Sequence, residues 1–217
     1  MHFLAHFHLQ PPTYLPQFYF GNMLPDFVPG FTKVYHQRLK HSNVLLSNGE
    51  QAFHAGINTH FKDDKLFHSN KYFEEMCRAF TRLLVSKQLD RSTLRLSFMA
   101  HILVEILLDR WLCEQQPALP SRFYEMLEHI DTSELKTYLD KHSLPQVVEL
   151  AAQKRNRFLE HRFLNNLSES EQIAIGVCKL YERTTNRIIT NYELFRIIET
   201  INEFYAQNNN WNALLIR

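Results

Sequence analysis

Two stretches of this chain carry metal-competent side chains at i, i+4 and i+8 within helix-patterned sequence. In Phe53-His-Ala-Gly-Ile-Asn-Thr-His60-Phe-Lys-Asp-Asp64-Lys-Leu-Phe-His68 they are His60, Asp64 and His68. In Met99-Ala-His101-Ile-Leu-Val-Glu105-Ile-Leu-Leu-Asp109-Arg they are His101, Glu105 and Asp109. A helix turns once per ~3.6 residues, so each four-residue step drifts only ~40° and all three side chains share one face. Positions i and i+8 stand ~12 Å apart along the axis, so one ion can take an i, i+4 pair but rarely all three. Two such helices facing each other would hold one ion through His60, Asp64, His101 and Glu105. A bridging carboxylate would place a second ion ~3.5–4 Å away. A single His/acid pair at this spacing reads equally well as a helix-stabilising ion pair. Two matched triplets are harder to dismiss, and the second lies in the apolar run Phe98, Met99, Ile102, Leu103, Val104, Ile106, Leu107 and Leu108. Acids are almost never buried in such a run unless paired or ligating.

The rest of the composition narrows the class. With 217 residues, the chain can build one domain with a substantial core. We read 1–217 as a single helical domain, with 1–115 carrying the metal site and 116–217 adding packing helices. A formal net charge of +1 gives no nucleic-acid footprint. Only 5 glycines disfavour a Gly-rich phosphate loop or a turn-dense β architecture. Cys77, Cys113 and Cys178 are far apart and odd in number, which suggests neither a disulfide scaffold nor a zinc ribbon and fits reduced thiols in the cytoplasm. No signal peptide and no apolar run approaching ~20 residues is visible, so no membrane span is expected.

Along the chain, His2, His6 and His8 interleave with Phe3, Leu4, Phe7 and Leu9 in a segment that is helical or extended, closed by Pro11 and Pro12. Residues 13–30 read as a short apolar segment, a turn and the acid Asp26, with Pro25 biasing Leu24 away from helix. Asp26 is either an N-cap or a ligand presented from a loop. Residues 31–48, with Lys33, His36, Arg38, Lys40 and His41, read as a polar connection. Ser47 and Glu50 fit a capping box for the first triplet's helix, and Ser168 and Glu171 fit a second. Helices follow at about 71–88, opened by Ser69 or Asn70, and about 93–115, opened by Asp90 or Ser92. Further helices follow at about 121–130, 133–142, 145–165, 169–187 and 192–207, the last with Tyr192, Phe195, Ile198, Ile201 and Tyr205 as its core stripe. No strand pattern is convincing. The fold class is all-α, a compact multi-helix bundle.

These motifs resemble a family. Met1-His-Phe-Leu-Ala-His-Phe-His-Leu9 is similar to the opening of the bacterial acyl carrier protein phosphodiesterases. Gly21-Asn-Met-Leu-Pro-Asp26-Phe, Gly56-Ile-Asn-Thr-His60 with Asp64, and Glu105-Ile-Leu-Leu-Asp109-Arg110-Trp-Leu resemble three further family motifs. The likeness covers about half the chain, nearly all of it before residue 113. Four positions differ: Phe61 replaces Arg, Phe67-His68 replaces Thr-Asp, Glu105 replaces Asp and Arg110 replaces His. The resemblance implies an HD-domain-like helical metal phosphohydrolase, and in the family itself an enzyme that removes the phosphopantetheine arm from acyl carrier protein. A weaker likeness runs to the zinc-dependent phospholipase C and nuclease group.

Imidazole and carboxylate ligands suit Mn, Fe or Zn, as one ion or two. Such ions generate hydroxide and neutralise a phosphoester. The expected metal ligands are His6, Asp26, His60, Asp64, His68, His101 and Glu105. Catalytic roles fall to Asp64, Glu105, Asp109 and Arg183, the last by analogy with a basic position late in the family, although a solvated helix charge is the plainer reading of it. His36, His41, His129, His142 and His161 read as surface residues. The expected partner is a phosphoester, the family's being phosphopantetheinylated acyl carrier protein. Two rivals remain: a helical binding module without activity, and a di-iron oxygenase, which would need Glu-x-x-His motifs at i, i+3 rather than i, i+4.

Overall fold

The computed structural model describes residues 2–12, 14–39 and 45–215. Among them the chain is all-α, with no strand. Its α-helices are α1 (Phe3–His8), α2 (Pro16–Phe27), α3 (Phe31–Val34), α4 (Asn48–His68), α5 (Lys71–Ser86), α6 (Leu96–Gln115), α7 (Leu119–Glu128), α8 (Thr132–Lys141), α9 (Pro145–His161), α10 (Ser170–Thr185) and α11 (Asn191–Gln207). A π-helical turn, Tyr35–Leu39, continues α3, and 3₁₀ turns lie at Phe163–Asn166 and Trp211–Leu215. No described helix is long and apolar enough to cross a membrane. The helices sort into two compact units. One comprises residues 1–65 and 118–163, the other 66–117 and 164–217, so each is built from two stretches of chain.

The first unit contains α1 to α3, most of α4, and α7 to α9. Its core includes Leu4, Phe20, Phe53, Ile57, Phe123, Leu127, Leu135, Leu139 and Ala151, each fully buried. The capping box opens α4 as expected: the Ser47 backbone N–H donates to Glu50 Oε2 at 2.6 Å and the Glu50 N–H to Ser47 Oγ at 3.4 Å. Two expectations are corrected here. Pro25 lies inside α2, and Leu24 is helical. Proline removes only the bond its N–H would make to the Gly21 carbonyl, and α2 ends two residues later, with Phe20, Met23, Leu24 and Phe27 buried. Residues 31–39, read as a polar connection, are helical; Phe31 and Tyr35 anchor them in the core. Lys40 and His41 of that connection lie outside the described residues.

The second unit is built on α5, α6, α10 and α11. The α5–α6 and α10–α11 pairs are consecutive, and α11 packs on α5 and α10 on α6. Asn70 caps α5, accepting from the Tyr72 N–H at 2.8 Å. Three expectations shift. Asp90 caps the turn before α6 through the Ser92 N–H, and α6 itself starts after Arg95. Ser168 does not cap α10, which starts after Glu169, whereas Thr190 and Glu193 form a full capping box on α11. The buried stripe of α11 is Ile197, Thr200, Ile201 and Phe204; Tyr192 and Phe195 are about half exposed, with Arg196 stacked over both rings.

One contact sets the geometry of the first unit. α2 and α4 cross backbone to backbone at two glycines. A Cβ on Gly56 would strike the Phe18 carbonyl oxygen and stand 2.8 Å from the Asn22 nitrogen, and one on Gly21 would strike the Phe53 carbonyl oxygen, 3.0 Å from its carbon. The obstacles are backbone atoms, which cannot rotate away. Gly56→Ala is therefore expected to destabilise the protein by at least the ~1–3 kcal/mol of an overpacked core, a fall of several degrees in thermal midpoint by circular dichroism. An unchanged midpoint would refute the crossing.

Candidate metal centre

The glycine crossing fixes His60. Gly56 and His60 are one turn apart on α4, and Phe18, Asn22 and Asp26 are one turn apart on α2, so the contact repeats along both helices. At the first repeat Gly56 meets Phe18 and Asn22. At the next, His60 Nδ1 lies 2.8 Å from the Asn22 carbonyl oxygen, and His60 Nε2 lies 3.8 Å from Asp26 Oδ1. A carbonyl only accepts, so Nδ1 carries the proton and donates. In its neutral form the ring turns its Nε2 lone pair toward Asp26, the orientation in which a backbone carbonyl behind the ring holds a metal-binding imidazole. His6, on α1, stacks on the His60 ring with centroids 4.4 Å apart and planes inclined by 24°. One ligand atom each from His6, Asp26 and His60 lie within 4.8 Å of one another. His6 and His60 are buried, and Asp26 is exposed at the edge. Asp26 is in the last turn of α2, which removes the N-cap reading.

Two neighbours were not anticipated. The Asn22 side chain is buried, and neither its Oδ1 nor its Nδ2 has a hydrogen-bond partner. Leaving such an amide unpaired costs ~1–3 kcal/mol. Asp63 is also buried, accepting from Gln10 Nε2 at 2.7 Å. The signal for Asp63 was its place on the inward stripe Phe53, Gly56, His60, Asp63 at helical spacing. The adjacent Asp64 drew notice through its i, i+4 spacing from His60 and through the family resemblance.

A second group is formed by His68, His101 and Glu105 in the other unit. His68 Nε2 and His101 Nε2 lie 2.9 Å and 3.1 Å from the same oxygen, Glu105 Oε1. Burial pushes the Glu105 carboxyl up, but the hydrogen bonds from His101 and His68 work against it, and the group is held well below the usual carboxylate range. The described residues thus divide the expected ligands otherwise than the pairing of His60, Asp64, His101 and Glu105: α1 supplies His6 to one group, and the end of α4 supplies His68 to the other.

Asp64, Asp109 and Arg183 join neither group. Asp109 is fully buried in α6. Arg183 is exposed on α10, its Nε donating to the Lys179 carbonyl one turn back, as a solvated helix cation does. Burial foremost pushes the Cys77, Cys113 and Cys178 thiols up to about 12, so none is a ready thiolate. Comparison with protein-family models, curated proteins and solved structures gave no match.

His142 is a correction: it is buried, not on the surface. Its ring stacks on His54 with centroids 6.5 Å apart, and His54 Nδ1 meets the Tyr138 hydroxyl at 3.0 Å. Burial lowers both histidines below their ordinary 6.5, His142 further through His54 and Lys141 and against the pull of Glu50. The unfolded chain therefore takes up these protons first as pH falls, and stability declines from about pH 6.5 down to the lowered folded-state values. The double variant His54→Asn/His142→Asn is expected to flatten that limb of a midpoint-against-pH curve. An identical limb would remove these two residues from the acid sensitivity.

Proposed function

We propose that this chain is a metal-dependent phosphohydrolase whose ion is held by His6, Asp26 and His60. The observation that supports this most is the buried His60 ring, with Nδ1 bonded to the Asn22 carbonyl and Nε2 turned to the Asp26 carboxylate. Two neutral imidazoles and one carboxylate suit Zn, Fe or Mn. When bound there, such an ion supplies a water of lowered pKa and positive charge against a phosphoester. The chain's own residues do the rest. The Asn22 carbonyl holds the His60 tautomer. Asp26, at the exposed edge, is both ligand and the group nearest to solvent. Asp63, anchored by Gln10, adds a buried carboxylate one turn along α4.

The resemblance to acyl carrier protein phosphodiesterases favours a phosphodiester over a monoester, with phosphopantetheinylated carrier protein as the specific substrate to try. One observation favours a second reading, a binding module without activity. Arg110, where the resemblance has a histidine, is committed to packing: it bonds Glu114 and Ser170 and lies 4.1 Å over the Tyr205 ring.

The test is a screen of chromogenic phosphomono- and diesters and of phosphopantetheinylated carrier protein, with Mn²⁺, Fe²⁺ and Zn²⁺ each added. Hydrolysis is expected in at least one combination. Asp26→Asn and His60→Ala are expected to lose more than the ~10–100-fold typical of changes to outer partners of a metal ligand, with helix content retained. No hydrolysis with any metal would leave the binding-module reading standing.

A further inference from the structure

We propose that His68, His101 and Glu105 form a second, mononuclear site for a transition-metal ion of the Zn²⁺ class, sharing no ligand with the His6, Asp26 and His60 group. A plain ion pair needs only two of these side chains. Glu105 and His101, one turn apart on α6, would suffice as a helix-surface pair. Here a third side chain, from the end of α4, is brought to the same carboxylate oxygen. Both Nε2 atoms meet Oε1, at 2.9 Å and 3.1 Å, with the rings nearly parallel at 25° and their centroids 4.8 Å apart. A neutral imidazole offers the same Nε2 as a lone pair to a divalent ion, so both rings and the carboxylate can serve one ion as ligands.

The spacing suits an ion without movement of the backbone. Bonds of ~2.0–2.2 Å at tetrahedral angles place ligand atoms about 3.4 Å apart. The two imidazole nitrogens need to draw back from Oε1 by only a few tenths of an ångström. The rings are also held from behind: buried Phe73 sets its ring against His101 at 5.1 Å, nearly perpendicular, and against His68 at 5.3 Å. Such packing limits the rotamers of both ligands before any ion arrives. Side-chain exposure grades from 12% at Glu105 to 32% at His68 and 42% at His101, so the carboxylate forms the floor and the imidazoles the rim. Three protein ligands with one position facing solvent is the arrangement of an open, water-carrying zinc site rather than a closed structural one. Two imidazoles with one carboxylate select Zn²⁺, Co²⁺ or Ni²⁺ over Mg²⁺ or Ca²⁺.

The test is calorimetric titration of chelator-treated full-length protein with Zn²⁺. His60→Ala serves as the reference, because it disables the other group. That variant is expected to bind about one ion per chain and to lose it on adding His101→Ala or Glu105→Gln, with Mg²⁺ giving no heat in any of them. Glu105→Gln keeps the size of the side chain and an acceptor for the imidazoles, so it separates loss of a ligand from loss of fold; circular dichroism checks both double variants. Bound Co²⁺ adds a second readout, its visible absorption disappearing with the same changes. Zn²⁺ binding by the reference that persists through both double variants would overturn the site, as would a reference that binds no Zn²⁺. Equal stoichiometry in wild type and His60→Ala, lost with Glu105→Gln, would uphold this site while sinking the metal centre of the hydrolase reading.

Discussion

The crossing of α2 and α4 at Gly21 and Gly56 is the contact on which the placement of His60 and Asp26 depends. Glycine inside a helix costs roughly 0.5–1 kcal/mol relative to alanine, and this chain has few glycines to place. The return is a backbone approach that no other residue allows. Because both helices repeat about every four residues, one close contact fixes the next. The Asn22 carbonyl reaches His60, and Asp26 arrives on the far side of the same ring. Had either glycine carried a side chain, the helices would stand apart and the imidazole would lose the acceptor that sets its tautomer.

This ordering explains why the helical periods were readable and the ligand sets were not. The amphipathic stripes of α4, α5 and α7 to α11 follow from apolar spacing within one element, and their limits fall within a few residues of those the periodicity gives. The exceptions share a cause. Pro25 was read from its local bias alone, but it falls two residues before the end of α2, where little of the helix remains to be broken. On α11 the stripe was right at Ile201 but was carried outward by the rings of Tyr192 and Phe195, which are half exposed, whereas Ile197 and Phe204 complete the face that packs.

The ligand groups depend on partners from other helices, which spacing within one helix cannot reveal. The i, i+4, i+8 rule picked out His60, His68, His101 and Glu105, each of which has other metal-competent side chains beside it. It attached Asp64 to His60, where the structure brings His6 from α1 and Asp26 from α2. His6 and Asp26 were legible only through the motifs of the first 26 residues, one of them carrying Gly21. Asn22 carried no signal by itself: its backbone oxygen does the positioning, and any residue has one. The unpaired state of its amide is a property of the packed unit.

Several local rules are broken within a short distance of one another. A proline sits inside α2, two glycines sit inside helices, an amide is buried without a partner, and Asp63 and His60 occupy positions on α4 that hydrophobic side chains would fill more cheaply. Each raises the free energy of the folded state by an amount comparable to the effect of an ordinary point mutation. A sequence shaped for stability alone would scatter such exceptions or remove them. Here they gather where α1, α2 and α4 meet, and the carbonyl, imidazole and carboxylate they bring together are ordered rather than random in their orientation. Concentrated local cost with ordered polar groups is what the proposed metal centre would require of this part of the fold.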